Sequence, residues 1–543
     1  MKKNRFIIYV VLCLVFISHC SCDLFDQHQK APSKPSIYVD GHEYSDTSLI
    51  LSSDDVYISS RFLRDIANME LFWDSQEEIV VYTSLDKVVY MGLDDVLGKD
   101  ILWKDHIAFI PLYMAELLFQ GTIEWHPESH LLYIERPFFR SIPFVLPNKT
   151  SVHPYPGKHS QTLTTLPKNQ QVTILRILDS WIKIRTSQYD IGWVSIQNVS
   201  EELSNHRFYP SSPFTKEQDV IQQDKICMTW QYEYRSTPDP SELYIAKELN
   251  TISPTWLSLQ NSQGELADKG RKDYIEWAHS NQYQVWIACT NSFDPSLTHE
   301  VLQSTKRRKK VIDSLLQIVL DYEANGVNID WENIYLHDRD LFTQFLRELY
   351  PIFNQNGLVV SVDITAISES ENWSLCYDRK AIGKVSDYVV LMAYDQYWAG
   401  GDESGSVAEY EWVKKGVEEL INIVPSHKVI VGIPFYSRLW IEDETIQPIS
   451  FSSESYFMGY SMELGEKHAA QWDDTIRQYY AQWSDQTHSY KLWIEDPRSI
   501  KHKVQLVHEY GLAGAAFWRK GYELPEVWPL IGSILNDRTR DRP

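Results

Sequence analysis

The chain has 543 residues and a formal net charge of −23, from 51 basic and 74 acidic side chains. Its length predicts about three domains, and 43% hydrophobic residues with 23% charged residues exclude a wholly disordered chain. The acidic balance argues against nucleic acid and against an anionic surface as partners, because both recruit proteins through clustered lysine and arginine. A neutral polymer such as a glycan stays open.

The first 22 residues are predicted to be an export signal. A basic start is followed at 6–17 by an apolar run that is too short for a comfortable membrane span. Cys20 and Cys22 then stand where a bacterial lipoprotein signal would place an acylated cysteine. We expect either a lipid anchor on one of these two cysteines or simple cleavage of the whole segment, with export in both cases.

An internal repeat is predicted within residues 36–140. The runs at 57–62 (YISSRF), 71–74 (LFWD) and 79–82 (IVVY) recur 52 positions later as FIPLYM, IEWH and LLYI. Each copy has the pattern of a strand, a short amphipathic helix and a hairpin. The repeat resembles the duplicated stalk-like domain that is named after the N-terminal domain of copper amine oxidases.

No metal site is predicted in this repeat or elsewhere in the chain. His106, His126 and His130 are expected to be surface histidines rather than ligands. The cysteines beyond the export signal are too far apart for a disulfide framework or a metal site, so we expect buried small side chains. We therefore predict neither a metal nor any other cofactor. These cysteines are Cys227, Cys289 and Cys376.

A second small module is predicted over 143–202. Short β-rich runs at 172–175, 181–184 and 192–194 alternate with turn residues. The Gly-Trp-Val run resembles the ending of bacterial SH3-like domains, many of which bind cell-wall glycopeptide. Glycan targeting and a role as a spacer both stay open for this module. Residues 210–213 are predicted to be a linker.

Strands and amphipathic helices alternate over 222–540, which predicts parallel βα units. The interval 440–490 is too long for a plain loop and is expected to hold extra elements. The sequence thus predicts an α/β fold, a C-terminal (β/α)8 TIM barrel preceded by a small α+β repeat domain and a small all-β SH3-like barrel. The predicted barrel strands are 226–230, 255–259, 284–289, 326–331, 359–364, 388–393, 429–433 and 514–517.

One of these strands carries three polar side chains at alternating positions. Within 325–332 (NGVNIDWE), Asn328, Asp330 and Glu332 point to one side of an extended chain. Such groups would be costly inside a packed core, but they fit the C-terminal mouth of a barrel, where active sites lie. The alternative is a buried carboxylate pair bridged to arginine or lysine.

This stretch resembles the Asp-Gly-x-Asp-x-Asp-x-Glu signature of glycoside hydrolase family 18, the chitinase-like enzymes, with Asn325 and Asn328 in place of two aspartates. Three later runs resemble motifs of the same family at the ends of barrel strands six, seven and eight. The resemblance extends over about 225–530. The later runs are 392–395 (MAYD), 432–438 (GIPFYSR) and 514–518 (GAAFW).

The resemblance implies a role for each of these residues. Glu332 would be the general acid that protonates the leaving oxygen. The family uses the acetamido group of its substrate as nucleophile, so Asp330 would hold the N–H of that group and Tyr394 its oxygen. Two carboxylates this close raise the pKa of one of them, which keeps a glutamic acid protonated near neutral pH. The expected substrate contacts are Asn328, Asp395, Tyr436, Arg438, Trp230 and Met392, together with Trp518 stacked beneath the sugar ring.

Asn328 departs from the family pattern, because an amide cannot carry the charge of an aspartate. We expect it to form a hydrogen bond with Asp330 instead, which leaves the pH optimum open. The runs at 493–499 and 512–514 resemble the branch of spore-cortex and cell-wall N-acetylglucosaminidases. Two sets of residues stay open between substrate contact and structural role: the charged Asp363, Arg438, Glu495 and Asp496, and the strand-end Trp230, Trp331, Trp398, Trp440 and Trp518.

We therefore expect an exported, monomeric, retaining glycosidase that cleaves β-1,4 bonds at N-acetylglucosamine in the peptidoglycan of the cell wall or spore cortex. It would be extracellular, wall-associated or spore-associated, or anchored to the membrane as a lipoprotein. Chitin is the alternative substrate. A non-catalytic glycan-binding protein and a vestigial barrel in an envelope scaffold are the other hypotheses. The presence of Glu332, Tyr394 and Trp518 argues against both.

Overall fold

The structure is a computed structural model that describes residues 35–537, except for a set of gaps. The predicted export signal, with Cys20 and Cys22, and the predicted linker at 210–213 lie outside the described residues. Within the part of the chain that is described, no helix is both long enough and apolar enough to span a membrane. The gaps are 45–47, 53–54, 93–99, 138, 140–141, 158, 179, 188–189, 199–223, 234–236, 241–242 and 444–449.

The strands of the first 200 residues are short and end at turns. They are β1 (Ser36–Val39), β2 (His42–Tyr44), β3 (Leu49–Leu51), β4 (Val56–Ser59), β5 (Leu71–Asp74), β6 (Ile79–Thr83), β7 (Val88–Met91), β8 (Leu102–Lys104), β9 (Ile107–Pro111), β10 (Thr122–His126), β11 (Leu131–Glu135), β12 (Ile142–Val145), β13 (Thr150–Val152), β14 (Thr164–Leu166), β15 (Gln171–Leu178), β16 (Trp181–Thr186) and β17 (Ile191–Ser195).

The remaining strands alternate with most of the helices. They are β18 (Ile226–Gln231), β19 (Thr251–Pro254), β20 (Leu257–Leu259), β21 (Leu266–Asp268), β22 (Gln284–Thr290), β23 (Gly326–Asp330), β24 (Val359–Thr365), β25 (Tyr388–Met392), β26 (Val429–Pro434), β27 (Tyr436–Asp443), β28 (Ser450–Phe457), β29 (Gln471–Asp473), β30 (Gln478–Ser484), β31 (His488–Ile494) and β32 (Gly514–Trp518). The α-helices are α1 (Ser60–Asp65), α2 (Leu112–Leu118), α3 (Lys272–Ser280), α4 (Pro295–Leu302), α5 (Thr305–Asp321), α6 (Arg339–Gln355), α7 (Arg379–Lys384), α8 (Tyr410–Ile421), α9 (Met458–Lys467), α10 (Pro497–Glu509) and α11 (Val527–Leu535).

The chain divides into two compact units, and the first consists of residues up to 69 and from 100 to 216. Its described part contains two mixed or antiparallel four-stranded sheets, in the orders β10-β11-β1-β2 and β3-β4-β9-β8. A third sheet, β12-β15-β16-β17, encloses a small apolar core that includes Ile174, Ile182 and Val194. The assignment of these parts as a stalk-like and an SH3-like domain stays a prediction.

The second unit combines residues 70–99 with residues from 217 onward. Within it, the small antiparallel sheet β5-β6-β7 packs on the barrel helix α6, and its aromatic rings contact basic side chains of α5. Glu77 accepts hydrogen bonds from the Ser304 hydroxyl at 2.6 Å and from the Lys306 backbone at 3.0 Å. Asp74 accepts two from Thr305. Two carboxylates thus satisfy the open N–H groups at the start of α5, where negative charge is favourable.

Eight parallel strands close into a barrel in the order β18-β19-β22-β23-β24-β25-β26-β32, with β32 paired back to β18. The closed barrel confirms the predicted (β/α)8 architecture. The predicted second strand at 255–259 was wrong, because the barrel uses β19 (Thr251–Pro254) and β20 forms a hairpin with β21. Pro254 argued against a strand at 251–254, because proline is disfavoured inside a sheet; in the structure it is the last residue of β19.

The barrel strands are mostly apolar on both faces because the interior and the helices cover them. Met228, Trp286, Val390 and Ile430 fill the interior. Close approach of two strands requires glycine at Gly514, where a Cβ would lie 2.0 Å from the backbone oxygen of Ile226. The interior is therefore a packed core, and the site must lie at its C-terminal end.

An antiparallel sheet in the order β28-β27-β31-β30-β29, with helix α9, fills most of the chain between β26 and α10. This insertion accounts for the extra elements that were expected between 440 and 490. Its first strand, β27, begins one residue after Phe435, which follows barrel strand β26. Side chains at the start of β27 consequently stand at the barrel mouth.

Candidate active site

Asn328, Asp330 and Glu332 are positioned by the end of β23, as the alternation of the sequence predicted. Asn328 is fully buried and Asp330 is 6% exposed. Glu332 lies two residues beyond the strand and is partly exposed. The three side chains therefore rise from the barrel interior to its mouth, with the predicted acid outermost.

Asn328 has all of its amide hydrogen-bonding capacity engaged inside the protein. Its Oδ1 accepts from Trp230 Nε1 at 3.0 Å and from Ser253 Oγ at 3.2 Å. Its Nδ2 donates to Ser361 Oγ at 3.0 Å and to Asp363 Oδ1 at 2.6 Å. The expected partner was Asp330, and the structure instead gives Asp363. Asn328 therefore has no polar group left for substrate and acts as a positioning residue.

The same contacts explain why an amide stands at 328. An aspartate there would bring a carboxylate to within hydrogen-bond distance of the buried Asp363, and two such charges repel in a low-dielectric interior. The amide N–H instead satisfies one oxygen of Asp363. Asp363 is 1% exposed, so it lies beneath the site and not at its surface.

Asp330, Asp363 and Glu332 form a group of carboxyls that have no basic side chain paired with them among the described residues. Asp330 Oδ1 and Asp363 Oδ2 are buried without a hydrogen-bond partner among the described residues. Burial raises the pKa of Asp330. Burial, followed by the charge of Asp330, raises the pKa of both Glu332 and Asp363. The alternative of a carboxylate pair bridged to arginine or lysine finds no support, because no described ion pair involves these three carboxyls.

The backbone of Glu332 is held by a residue that sequence reasoning missed. Asn291 follows β22, is fully buried, donates from Nδ2 to the Glu332 carbonyl at 2.6 Å and accepts from the Glu332 N–H at 3.1 Å. Tyr377 Oη donates to the carbonyl of Trp331 at 2.9 Å. Trp331 itself stacks on Phe345, with ring centroids 4.6 Å apart. These contacts fix the direction of the Glu332 side chain.

Tyr394 stands two residues beyond β25 and faces the carboxyls. Its ring meets Trp230 edge to face, with centroids 6.4 Å apart. Its pKa is raised well above its usual value by burial first and then by the charges of Asp363, Asp330 and Glu332. Within the described chain its hydroxyl has no hydrogen-bond partner, so Tyr394 is a neutral donor available to a bound molecule.

Asp395, Tyr436, Arg438 and Trp518 line an open pocket of about 220 Å³. Asp395 Oδ1 accepts from Tyr436 Oη at 2.5 Å and from Arg438 Nη2 at 2.9 Å. Its charge also contributes to the raised pKa of Glu332, which links this pocket to the carboxyl group. The structure thus brings these four predicted residues together beside Glu332.

The tryptophans at strand ends separate into two groups. Trp518 is partly exposed and Trp398 is 61% exposed, so both can offer a ring face. Met392, which was also expected to touch substrate, is 7% exposed and belongs to the barrel wall. Three tryptophans that were open as sugar platforms are core residues with at most 1% exposure: Trp230, Trp331 and Trp440.

Glu495 and Asp496 have structural roles. Glu495 is fully buried in an ion pair with Lys503 and accepts from Gln478 and Ser499. Asp496 caps helix α10 by accepting from the Ser499 backbone at 2.8 Å. The structural alternative therefore holds for both residues. Arg438 differs from them, because it lines the pocket.

Comparison with known proteins places the barrel in a family. The model for glycosyl hydrolases family 18 matches residues 229–523. YdhD of Bacillus subtilis, a protein named as a sporulation-specific glycosylase, is 30% identical over 234 residues, which are 42% of this chain and 55% of that protein. A cortical fragment-lytic enzyme of the same organism is 24% identical over 249 residues, 45% of this chain and 58% of its own.

The chain thus spans a little over half the length of these two relatives. A solved structure, the spore cortex-lytic enzyme of Bacillus megaterium, is similar in fold with a TM-score of 0.52 and 21% identity, over 57% of this chain and 74% of that chain. The three matches cover between 42% and 57% of this chain.

Proposed function

The chain belongs to glycoside hydrolase family 18, and on that premise we propose that it is a retaining glycosidase that cleaves β-1,4 bonds at N-acetylglucosamine in peptidoglycan. The observation that carries the proposal is the group of Asp330, Asp363 and Glu332. Buried carboxyls without a basic partner are costly and are typical of sites that transfer protons.

Glu332 would supply the proton. The raised pKa of its carboxyl favours the protonated form, and its partly exposed position at the mouth lets it reach the glycosidic oxygen. As the proton moves, the bond between the anomeric carbon and that oxygen breaks, and the electron pair stays with the leaving sugar. Asn291 holds the backbone so that the carboxyl keeps its direction.

The acetamido group of the substrate would act as the nucleophile, as in other enzymes of this family. Its oxygen bonds to the anomeric carbon and forms an oxazolinium ion, whose positive charge and N–H are met by Asp330. Tyr394 donates to the acetamido oxygen and aims it. Water then attacks the same carbon as its bond to the acetamido oxygen breaks, which restores the acetamido group. Glu332 takes the proton of that water, and the two displacements together retain the β configuration.

Peptidoglycan is proposed as the substrate because the two relatives are named for sporulation and for cortical fragments. Chitin is the substrate that a test must separate from it. The purified full chain would be incubated with peptidoglycan and with chitin oligomers, and the new reducing ends identified by mass spectrometry. We expect N-acetylglucosamine ends from peptidoglycan. Faster release from chitin oligomers would instead assign the enzyme as a chitinase, and release from neither would contradict glycosidase activity.

The place of action is proposed from the sequence. The basic start and apolar run of residues 1–22 support export, and Cys20 or Cys22 would carry a lipid anchor if the signal is of the lipoprotein type. The small module at 143–202 would then hold the enzyme on the wall as an SH3-like domain, with the enzyme as a monomer. Labelling of cells with a clickable fatty acid would mark the protein, and Cys20→Ser or Cys22→Ser would remove the mark.

A further inference from the structure

Two histidines and an aspartate meet beside the segment that follows Glu332. His299 lies on α4, and His337 and Asp338 belong to a short 3-10 turn, Leu336–Asp338, that leads into α6. One ligand atom from each of the three side chains lies within 4.8 Å of the other two. The cluster is separate from the carboxyls and from the pocket described above, and the proposed glycosidase function does not use it.

Asp338 is the least satisfied member of the cluster. Its side chain is fully buried, and Oδ1 lies 2.8 Å from His299 Nδ1 and 3.9 Å from His337 Nε2. Oδ2 has no hydrogen-bond partner among the described residues. Asp338 also stands at the N-cap position of α6, yet its side chain makes no capping hydrogen bond. A buried carboxylate oxygen that neither caps a helix nor meets a lysine or arginine calls for a cation.

The two imidazole rings are held in place before any ion binds. His337 stacks on Tyr335 with ring centroids 5.1 Å apart and an angle of 18° between the rings. His299 and His337 meet nearly at right angles, with centroids 5.2 Å apart. The hydroxyl of Tyr335 forms a 3.0 Å hydrogen bond with Ser296, which lies on the same helix as His299. Tyr335 therefore keeps both rings near Asp338.

We propose that His299 Nδ1, His337 Nε2 and a carboxylate oxygen of Asp338 bind a divalent transition-metal ion of the zinc type. Two imidazole nitrogens and one carboxylate oxygen are a common ligand set for Zn²⁺, with a fourth tetrahedral position for water. Calcium and magnesium prefer sites made of oxygen atoms alone. The sequence could not show this site, because His299 and His337 have no short metal-binding spacing.

The ion would join α4 to the chain that carries Glu332. Asn291, which clamps the Glu332 backbone, also donates to Thr298 of α4 at 2.8 Å. Metal binding would therefore connect α4 to the turn Leu336–Asp338 at the barrel mouth. It should also stabilise the native barrel, because an ion that binds only the folded state shifts the unfolding equilibrium.

The test is titration of the full chain with Zn²⁺ alone, with no histidine tag on the protein, by isothermal calorimetry and by thermal unfolding. We expect one ion per chain and a rise in melting temperature, with no such effect from Ca²⁺ or Mg²⁺. His337→Gln should weaken binding by about 100-fold or more. The ring of His337 is 66% exposed, so this change should leave the metal-free melting temperature unaltered.

A matched control is His468→Gln. His468 is also a partly exposed histidine stacked on an aromatic ring, that of Trp483 at 3.8 Å, but it lies in the insertion. This variant should bind Zn²⁺ as the parent chain does. Absence of Zn²⁺ binding in the parent, equal binding by His337→Gln, or equal binding of Ca²⁺ would each overturn the proposal.

Discussion

Two groups of ionisable side chains in the barrel unit differ in how they are neutralised. Between α5 and α6, Arg308 and Glu348 are both fully buried and 2.8 Å apart, and further hydrogen bonds from neighbouring groups surround them. At the mouth, Asp330, Asp363 and Glu332 have raised pKa values and two oxygens without partners among the described residues. The first group is neutralised inside the fold by its own members and their hydrogen-bond partners. The second group has no basic partner among the described residues, which is typical of sites that transfer protons.

The neutralised group depends on the β5-β6-β7 sheet. Phe72 lies over the guanidinium of Arg308 at 4.6 Å, and Tyr90 Oη donates to Glu348 at 3.3 Å. A segment that the repeat pattern assigns to an N-terminal domain thus closes over an ion pair of the barrel. Buried pairs of this kind add little net stability, but removing one partner is costly because the other charge stays buried.

The largest change in stability is expected from Glu348→Gln, which leaves the Arg308 charge buried without its carboxylate. We expect a loss of about 3–5 kcal/mol in the free energy of unfolding, measured by urea denaturation. Lys310→Gln is the control, since its exposed pair with Glu265 should contribute at most about 1 kcal/mol. Equal losses in both variants would show that the buried pair is no more costly to break than an exposed one.

The largest change in activity is expected from Glu332→Gln. An amide cannot protonate the leaving oxygen, so turnover should fall by about 100-fold or more while glycan binding is kept. Circular dichroism and thermal unfolding should show an intact fold. Activity close to that of the parent chain would contradict the assignment of Glu332 as the general acid. The exposed Glu323, a few residues earlier in the sequence, gives a control variant Glu323→Gln with full activity.

Asp330→Asn should stabilise the protein while it damages catalysis. The pKa of Asp330 is raised from 3.8 to about 7, so the folded chain binds the proton more tightly than the unfolded chain does. The contribution of Asp330 to the free energy of unfolding therefore falls as the pH rises from about 4 to about 7, and this loss of stability is complete above that range. We expect the variant to gain about 1–3 kcal/mol at pH 8 and little at pH 4.

Thermal unfolding at both pH values measures this difference, with Asp402→Asn as the control for an exposed aspartate. A gain at pH 4 as large as that at pH 8 would show that the raised pKa is not its cause. The same variant should lose up to about 3 kcal/mol of transition-state stabilisation, the scale of one preorganised electrostatic contact.

The smallest effect is expected from Tyr90→Phe. The change removes one hydrogen bond to Glu348 and keeps the ring in place, so we expect a loss of about 1 kcal/mol in the free energy of unfolding. Glycosidase activity should stay that of the parent, because Tyr90 belongs to the neutralised group of charges. A large loss of activity with unchanged stability would show that the Arg308–Glu348 pair affects the carboxyls at the mouth, which would contradict the separation of the two groups.

Sequence reasoning reached the barrel and most of its mouth because both depend on local patterns. Alternation placed Asn328, Asp330 and Glu332 on one face, and short motifs brought Tyr394 and Trp518 to the same end. It was wrong where one residue interrupts a pattern, as Pro254 does in β19. It was also wrong about the hydrogen-bond partner of Asn328, because that partner, Asp363, comes from the next strand.

The remaining features depend on contacts that no local pattern contains. Asn291 clamps Glu332 from the neighbouring strand end, and His299 meets Asp338 from a different helix. The grouping of 70–92 with the barrel likewise follows from tertiary contacts, whereas the repeat pattern shows only similarity between copies. Such pairings are set by the closing of the barrel and can be seen only in three dimensions.

The most direct test of the proposed chemistry is the configuration of the first product, read by proton NMR within minutes of mixing. Attack by the acetamido oxygen followed by attack by water predicts that the β anomer appears first, and that a substrate with a 2-hydroxyl in place of the acetamido group binds without turnover. Appearance of the α anomer first would mean that water attacks directly. Asp330 would then act as a general base, which would contradict the role proposed for the unneutralised carboxyls.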